Sequence, residues 1–149
     1  MIEHDLVKIR NELIKQINFE GNLKVKDEVI EEACIRLNFI SDFLSVNVSL
    51  EEITVFYSMD HDEFWKETYK DEQKWIKSAA NFIRLLLMHS ITGEYFYEAS
   101  TMKLLYYKLW IENASNHRKL LKKVSTTMNL LSIFKRKVVI SKVLQDKNY

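Results

Sequence analysis

An arginine and a histidine, Arg84 and His89, lie five positions apart in an apolar stretch of this 149-residue sequence. A histidine can transfer a proton near neutral pH, and an arginine can hold a phosphate through paired hydrogen bonds. Together they could cleave RNA without a metal ion, with the histidine acting on a ribose hydroxyl or on the leaving group. We therefore take Arg84 and His89 as the candidate catalytic pair.

The segment from Arg84 to His89 resembles the Arg-x4–6-His motif of the HEPN family, a group of small all-α ribonucleases and toxins. The resemblance implies that this pair acts on RNA at a dimer interface. The residue after the arginine is usually polar in that family, and here it is Leu85. In a helix His89 lies about 140° around the axis from Arg84. The pair therefore converges only if the helix ends or bends near Met88, or if a second subunit completes the site.

Other patterns for chemistry are weak in this sequence. His61 and Asp62 resemble the paired ligands of HD-type metal phosphohydrolases, but the further ligands would have to be His4 and Asp146, near the chain ends. A single cysteine, Cys34, rules out an internal disulfide and the usual zinc spacings. No glycine-rich loop is present to cradle a nucleotide. The sequence thus predicts no metal and no cofactor, and it favours a protein without enzymatic activity.

Charge is unevenly distributed along the chain. Residues 1–100 contain 11 Lys/Arg and 19 Asp/Glu, whereas residues 101–149 contain 11 Lys/Arg and 2 Asp/Glu. Such asymmetry indicates a charged partner. We predict that the basic residues of the C-terminal segment bind nucleic acid or an acidic protein surface: Arg118, Lys119, Lys122, Lys123, Lys135, Arg136 and Lys137. Attraction between the acidic and basic parts would also support a homodimer.

The composition predicts an all-α fold. The chain has no proline and two glycines, although sheets and their tight turns use both residues. Apolar residues recur at helical spacing in Ile2–Asn18 and Glu72–Ile91. Further helices are predicted over residues 27–44, from Ser49, and around Phe64. We expect one domain, residues 1–149, built as a bundle of six or seven helices.

The most apolar segment, Glu98–Asn113, is predicted to be the central helix of that bundle. Tyr95 and Tyr97, just before it, are expected to be exposed, and aromatic rings beside basic residues can stack the bases of single-stranded nucleic acid. The aromatic residues within the central helix are assigned to the core: Tyr106, Tyr107 and Trp110.

The last predicted helix spans about residues 115–146 and contains the basic residues. If it is continuous, Lys119 and Lys137 share a face over about 27 Å, a length that can follow a phosphate backbone. The β-branched residues 138–140 favour a strand locally, so both structures stay open there.

These patterns favour a non-enzymatic α-helical binding or regulatory protein that acts by protein–protein interaction, like the inhibitors encoded by viruses and mobile elements. Nucleic-acid binding through the basic C-terminal helix is one alternative, and a metal-independent HEPN-like ribonuclease is another. The sequence shows no signal peptide and no apolar run near the roughly 20 residues of a membrane span. It therefore predicts a reducing, cytoplasmic location without membrane contact.

Overall fold

The computed structural model describes residues 2–18, 25–39, 43–113, 117–126 and 135–146. Within these ranges the chain forms nine β-strands, two α-helices and one short 3-10 turn. The predicted all-α bundle of six or seven helices is therefore wrong. Close backbone contacts divide the chain into two compact units, Met1–Leu87 (unit 1) and Met88–Tyr149 (unit 2). Among the described residues, no helix is long and apolar enough to cross a membrane.

Unit 1 is a five-stranded antiparallel sheet with one helix before it in the chain and one after it. The strands pair in chain order, so neighbours in the sheet are also neighbours in sequence. The elements are α1 (Ile2–Ile17), β1 (Val25–Ile30), β2 (Ile35–Phe39), β3 (Leu44–Val48), β4 (Glu52–Tyr57), β5 (Asp60–Trp65), the 3-10 turn (Lys66–Thr68) and α2 (Glu72–Leu87).

The core of unit 1 lies between one face of this sheet and the two helices. Along β2 and β3 every second residue is buried, the pattern of a sheet with one covered face. On that face Val46 lies opposite both Leu37 and Val55, and all three side chains are fully buried. α1 and α2 pack against each other and against β3, β4 and β5. Trp75 of α2 is also fully buried, and its indole N–H donates to the backbone carbonyl of Phe64 at 2.7 Å.

Two of the predicted helices are confirmed. α1 ends one residue before its predicted end at Asn18, and α2 begins at Glu72 as predicted but ends at Leu87, before Ile91. The helices predicted over residues 27–44, from Ser49 and around Phe64 are wrong, because the described residues of these segments lie in the strands and turns of the sheet. Residues 40–42 of the first of them lie outside the described residues.

Unit 2 is a four-stranded antiparallel sheet. Its strands are β6 (Ser90–Glu98), β7 (Leu104–Glu112), β8 (Arg118–Ser125) and β9 (Lys137–Gln145). Their spatial order is β8-β7-β6-β9, so β9 returns to lie beside the first of three consecutive strands, which is the Greek-key arrangement.

Strands replace both helices that were predicted for the C-terminal part of the chain. Most of the predicted central helix, Glu98–Asn113, is a turn followed by β7, and the predicted basic helix is wrong because its described residues form β8 and β9. The strand tendency of residues 138–140 is confirmed, since they lie within β9. Residues 115–116 and 127–134 of the predicted basic helix lie outside the described residues.

Several turns between strands form without glycine or proline. Ser58, between β4 and β5, and Met102, between β6 and β7, have φ values of 56° and 55°. Residues with a side chain take this left-handed conformation infrequently, and glycine is the usual choice. Between β3 and β4 the Ser49 hydroxyl accepts a hydrogen bond from the Glu52 backbone N–H at 3.0 Å. A low count of glycine and proline is therefore compatible with this sheet.

Gly93 is needed at its position in β6 because the side chain of Tyr95 lies over it. A Cβ atom at residue 93 would lie 2.7–2.9 Å from ring and hydroxyl atoms of Tyr95. Tyr95 is buried, with its ring centroid 5.7 Å from that of Tyr107. We expect Gly93→Ala to lower the free energy of unfolding by about 1–3 kcal/mol, the usual cost of overpacking. Chemical denaturation measures this loss, which should shrink in a Tyr95→Leu background; an equal loss in both backgrounds would show that the ring is not the cause.

Candidate functional site

The two faces of the unit 2 sheet differ in character. Along β7 the residues alternate strictly between buried and partly exposed, with Leu105, Tyr107, Leu109 and Ile111 buried. The intervening residues belong to a more exposed face that combines aromatic and charged side chains. We call it the cation–aromatic face and define it by eight residues: Glu94, Phe96, Tyr106, Lys108, Trp110, Glu112, Arg118 and Lys123.

Strand register brings these residues together from three neighbouring strands. Phe96 of β6 lies opposite Tyr106 of β7, and Lys108 of β7 lies opposite Lys123 of β8. Directly opposite residues of antiparallel strands stand on the same face with their Cβ atoms about 5 Å apart. The register therefore places an aromatic pair beside a lysine pair.

The aromatic pair is stacked and has a lysine beside each ring. The centroids of Phe96 and Tyr106 are 4.3 Å apart, and their planes differ by 15°. The Lys123 ammonium lies 5.0 Å from the Tyr106 centroid, and the Lys108 ammonium lies 5.4 Å from the Phe96 centroid. The Lys108 ammonium is also 6.0 Å from the ring of Trp110. These are distances at which a cation is attracted to an aromatic ring.

Arg118 closes one side of the face, and two carboxylates more than balance its charge. Its guanidinium carbon lies 4.5 Å from the ring centroid of Trp110. The same guanidinium forms ion pairs with Glu94 at 3.4 Å and with Glu112 at 3.5 Å. The indole N–H of Trp110 also donates to the Glu94 carboxylate. Arg118 and the two carboxylates therefore hold Trp110 in place.

Lys108 and Lys123 have no carboxylate paired with them in the described part of the chain. Like charges directly opposite one another in a sheet are destabilising, and neither ammonium forms an ion pair with any residue in the described part of the chain. Glu94 lies opposite Lys108 on the β6 side, but its carboxylate is bonded to Trp110 and Arg118. The three cations and two carboxylates of the face give it a net charge of +1. The two lysine ammonium groups border the stacked rings, and a bound anion would relieve their repulsion.

The structure separates the predicted basic residues into two groups at opposite edges of the sheet. β8 and β9 are three strand spacings apart, about 14 Å. The predicted 27 Å helical stripe is therefore wrong. Within β8, Arg118 and Lys123 belong to the cation–aromatic face, whereas the register puts Lys119 and Lys122 on the other face, opposite buried residues of β7. The second group stands just before β9 and at its first residue: Lys135, Arg136 and Lys137.

Lys135 forms an ion pair within unit 2. Its ammonium lies 3.4 Å from the carboxylate of Glu98 at the end of β6. A hydrogen bond from the Thr101 hydroxyl, together with Lys135 and a bond from Ser100, holds the pKa of Glu98 below its usual range. Glu98 thus stays ionised in neutral solution and balances the charge of Lys135.

The predicted exposure of the aromatic residues needs correction. Tyr95 is buried rather than exposed, and Tyr97 is partly exposed. The assignment of Tyr107 to the core is confirmed, whereas Tyr106 and Trp110 stand on the partly exposed face. Sequence reasoning also missed three charged members of the face, Glu94, Lys108 and Glu112. Residues 104–112 alternate in burial but not in polarity, because seven of the nine are apolar or aromatic, so their sequence offers little signal for this face.

Arg84 and His89 lie on either side of the boundary between the units. Arg84 is in the last turn of α2, and His89 comes two residues after the helix ends; both are partly exposed. The catalytic role of this pair stays a prediction. His61 and Asp62 lie in β5, and no group of three or more metal-ligating side chains is found among the described residues.

The division into units also divides the charge. Unit 1 contains 11 Lys/Arg and 17 Asp/Glu, a net charge of −6, and unit 2 contains 11 Lys/Arg and 4 Asp/Glu, a net charge of +7.

Comparisons of the chain with protein-family models, with curated proteins and with solved structures found no match. The cation–aromatic face is therefore the feature of the molecule that indicates a function.

Proposed function

We propose that the protein is a non-enzymatic binding protein and that unit 2 binds single-stranded nucleic acid through the cation–aromatic face. The observation that carries the proposal is the opposed pair Lys108 and Lys123, which form no ion pair in the described part of the chain, beside the stacked rings of Phe96 and Tyr106. Proteins that bind single strands without sequence preference combine positive charges for the phosphates with aromatic rings for the bases. This face offers both groups within one strand spacing.

The charge of unit 2 supports the same ligand. A net charge of +7 on 62 residues attracts a polyanion and speeds its association. Each phosphate that a lysine neutralises releases condensed counterions, which makes the affinity fall with salt. Lys108 and Lys123 fit this role best, because the other cation of the face, Arg118, is already paired with two carboxylates.

This proposal replaces the predicted basic helix with a sheet face and keeps the nucleic-acid ligand. A regulatory role through protein–protein interaction stays a prediction, as does a cytoplasmic location. A protein partner for the basic residues would be favoured if no nucleic acid binds at low salt.

Binding is tested with a fluorescent oligouridylate of about 12 nucleotides, within the usual site sizes for single strands. Fluorescence anisotropy at several salt concentrations gives the slope of log affinity against log salt. Contacts from Lys108 and Lys123 alone predict a slope of about −1.4, since each phosphate on a single strand contributes about −0.7. No binding at the lowest salt concentration would overturn the proposal.

Lys123→Glu is expected to change stability and binding in opposite directions. The substitution replaces two opposed lysines by an oppositely charged pair, which should raise the free energy of unfolding by about 0.2–1 kcal/mol. The same change should weaken oligouridylate binding at least about tenfold and make the salt slope less steep by about 0.7. Anisotropy and urea denaturation measure the two effects.

Lys103→Glu is the matched control, because it makes the same change in net charge at an exposed turn residue outside the face. It should leave the salt slope close to that of the parent protein. If the two variants weaken binding equally, net charge alone explains the affinity and the cation–aromatic face is not the site.

A further inference from the structure

β9 is an edge strand with an unusually apolar surface. Among the strands that the structure describes, it pairs only with β6, and it is nine residues long. Val139 is 48% exposed and Val143 is 66% exposed, and both stand on the same face of the sheet. Val138 and Ile140 are also exposed. Long apolar edges invite pairing with another strand, and proteins usually protect them with charges.

The other three edge strands of the two sheets have that protection. β1 contains Lys26, Asp27 and Glu28, and β5 has Asp60, Asp62 and Glu63. β8, the opposite edge of the unit 2 sheet, has four basic residues. β9 has only Lys137 and Lys142 among its nine residues. The composition of β9 is therefore more typical of a strand that pairs with another strand than of an edge exposed to solvent.

We propose that the occupant is a second copy of the chain, with the two β9 strands paired antiparallel about a two-fold axis at Ser141. This register places Val139 of each copy opposite Val143 of the other, which covers the two most exposed valines of the strand. It places Ile140 opposite Lys142, whose ammonium lies 5.5 Å from the ring centroid of Tyr95. The methylene stem of this lysine can cover an apolar neighbour. No lysine of β9 faces a lysine of the other copy.

Charge complementarity at the ends of the paired strands supports a second copy as the occupant. A bulge near Leu144 shifts the end of β9 relative to β6. Beyond it, Asp146 of one copy comes beside Arg136 and Lys137 of the other. Asp146 and Arg136 are exposed, and neither side chain forms an ion pair within the described part of the chain. Two-fold symmetry makes this contact twice, which offsets part of the repulsion between two basic units.

Disulfide trapping tests the pairing directly. Opposed residues of antiparallel strands have Cα atoms about 4.5–5.5 Å apart, within the range that a disulfide can bridge. In a Cys34→Ser background, Ser141→Cys should give a disulfide-linked dimer under mild oxidation, since each new thiol meets its symmetry mate. Ser125→Cys is the matched control on the exposed edge strand β8 and should stay monomeric. Equal trapping of both variants, or none of Ser141→Cys, would overturn the proposal.

Sedimentation of the unmodified protein tests whether the dimer forms without a covalent link. One strand from each copy makes a small interface, so we expect a weak dimer whose fraction rises between about 10 μM and about 1 mM protein. Asp146→Lys should raise the dimer dissociation constant about tenfold. Adding Arg136→Glu and Lys137→Glu to that variant should bring the dimer dissociation constant back towards that of the parent protein. A protein that is monomeric throughout, or a charge-swapped variant that is no tighter than Asp146→Lys, would contradict this arrangement.

Discussion

Trp75→Ala is expected to lower the free energy of unfolding of unit 1 by about 3–5 kcal/mol, the usual cost of removing a large aromatic side chain from a core. The side chain is fully buried in α2, and its indole N–H bonds the carbonyl of Phe64 in β5 at 2.7 Å. The substitution therefore leaves a cavity and an unpaired carbonyl at the contact between helix and sheet. Urea denaturation followed by circular dichroism measures the loss. If the variant does not fold, Trp75→Phe keeps most of the volume and should show a smaller loss, from the lost hydrogen bond and a smaller cavity.

Trp110→Ala provides the comparison. Trp110 was assigned to a buried central helix, where its loss would have had a similar cost, but it stands on a partly exposed sheet face. We expect its replacement to cost about 1 kcal/mol, the range spanned by strand propensities. Equal losses for Trp75→Ala and Trp110→Ala would contradict the placement of the two tryptophans.

The two helices could be predicted because periodicity and tertiary packing agree there. In α1, Leu6, Ile9 and Leu13 recur at steps of three and four and are all buried. No alternating pattern competes with this spacing over the same residues. Helices with a single apolar stripe are therefore recovered from sequence, to within a few residues at each end.

The strands were missed because composition was given more weight than local alternation. Residues 44–48 and 53–57 alternate buried and less buried side chains and contain β-branched residues typical of strands. Scarce glycine predicts few tight turns, yet Ser58 and Met102 adopt positive φ values themselves. The number of turn-forming residues in a chain does not fix the number of turns, because context can impose a left-handed conformation on other residues.

The candidate site could be predicted only in part from the sequence, for a different reason. The sequence identifies the basic residues of the C-terminal segment, but it predicts a helix that would align them. Opposition of Lys108 and Lys123 depends on the register between β7 and β8, which includes a bulge after Leu109. Register depends on pairing between segments that are distant in the chain, so spacing within one segment does not reveal it.

Replacing both stacked rings, in Phe96→Leu with Tyr106→Leu, is expected to weaken oligouridylate binding by about 1–3 kcal/mol for each base that loses its aromatic partner. The rings form a parallel pair on neighbouring strands, and a lysine lies near each of them. Stacking does not depend on counterion release, so the affinity should fall at every salt concentration while the salt slope stays that of the parent protein. Anisotropy titrations at three or more salt concentrations separate this result from that of Lys123→Glu.

Phe56→Leu is the matched control for the aromatic variant. Phe56 is 37% exposed on β4 of the acidic unit 1, so the substitution removes an accessible ring of the same kind away from the cation–aromatic face. It should leave affinity and salt slope unchanged. If the aromatic double variant retains the affinity of the parent protein, the lysines bind phosphates alone and the rings have no part in recognition. If its salt slope changes together with its affinity, the rings act by positioning Lys108 and Lys123 rather than by stacking on bases.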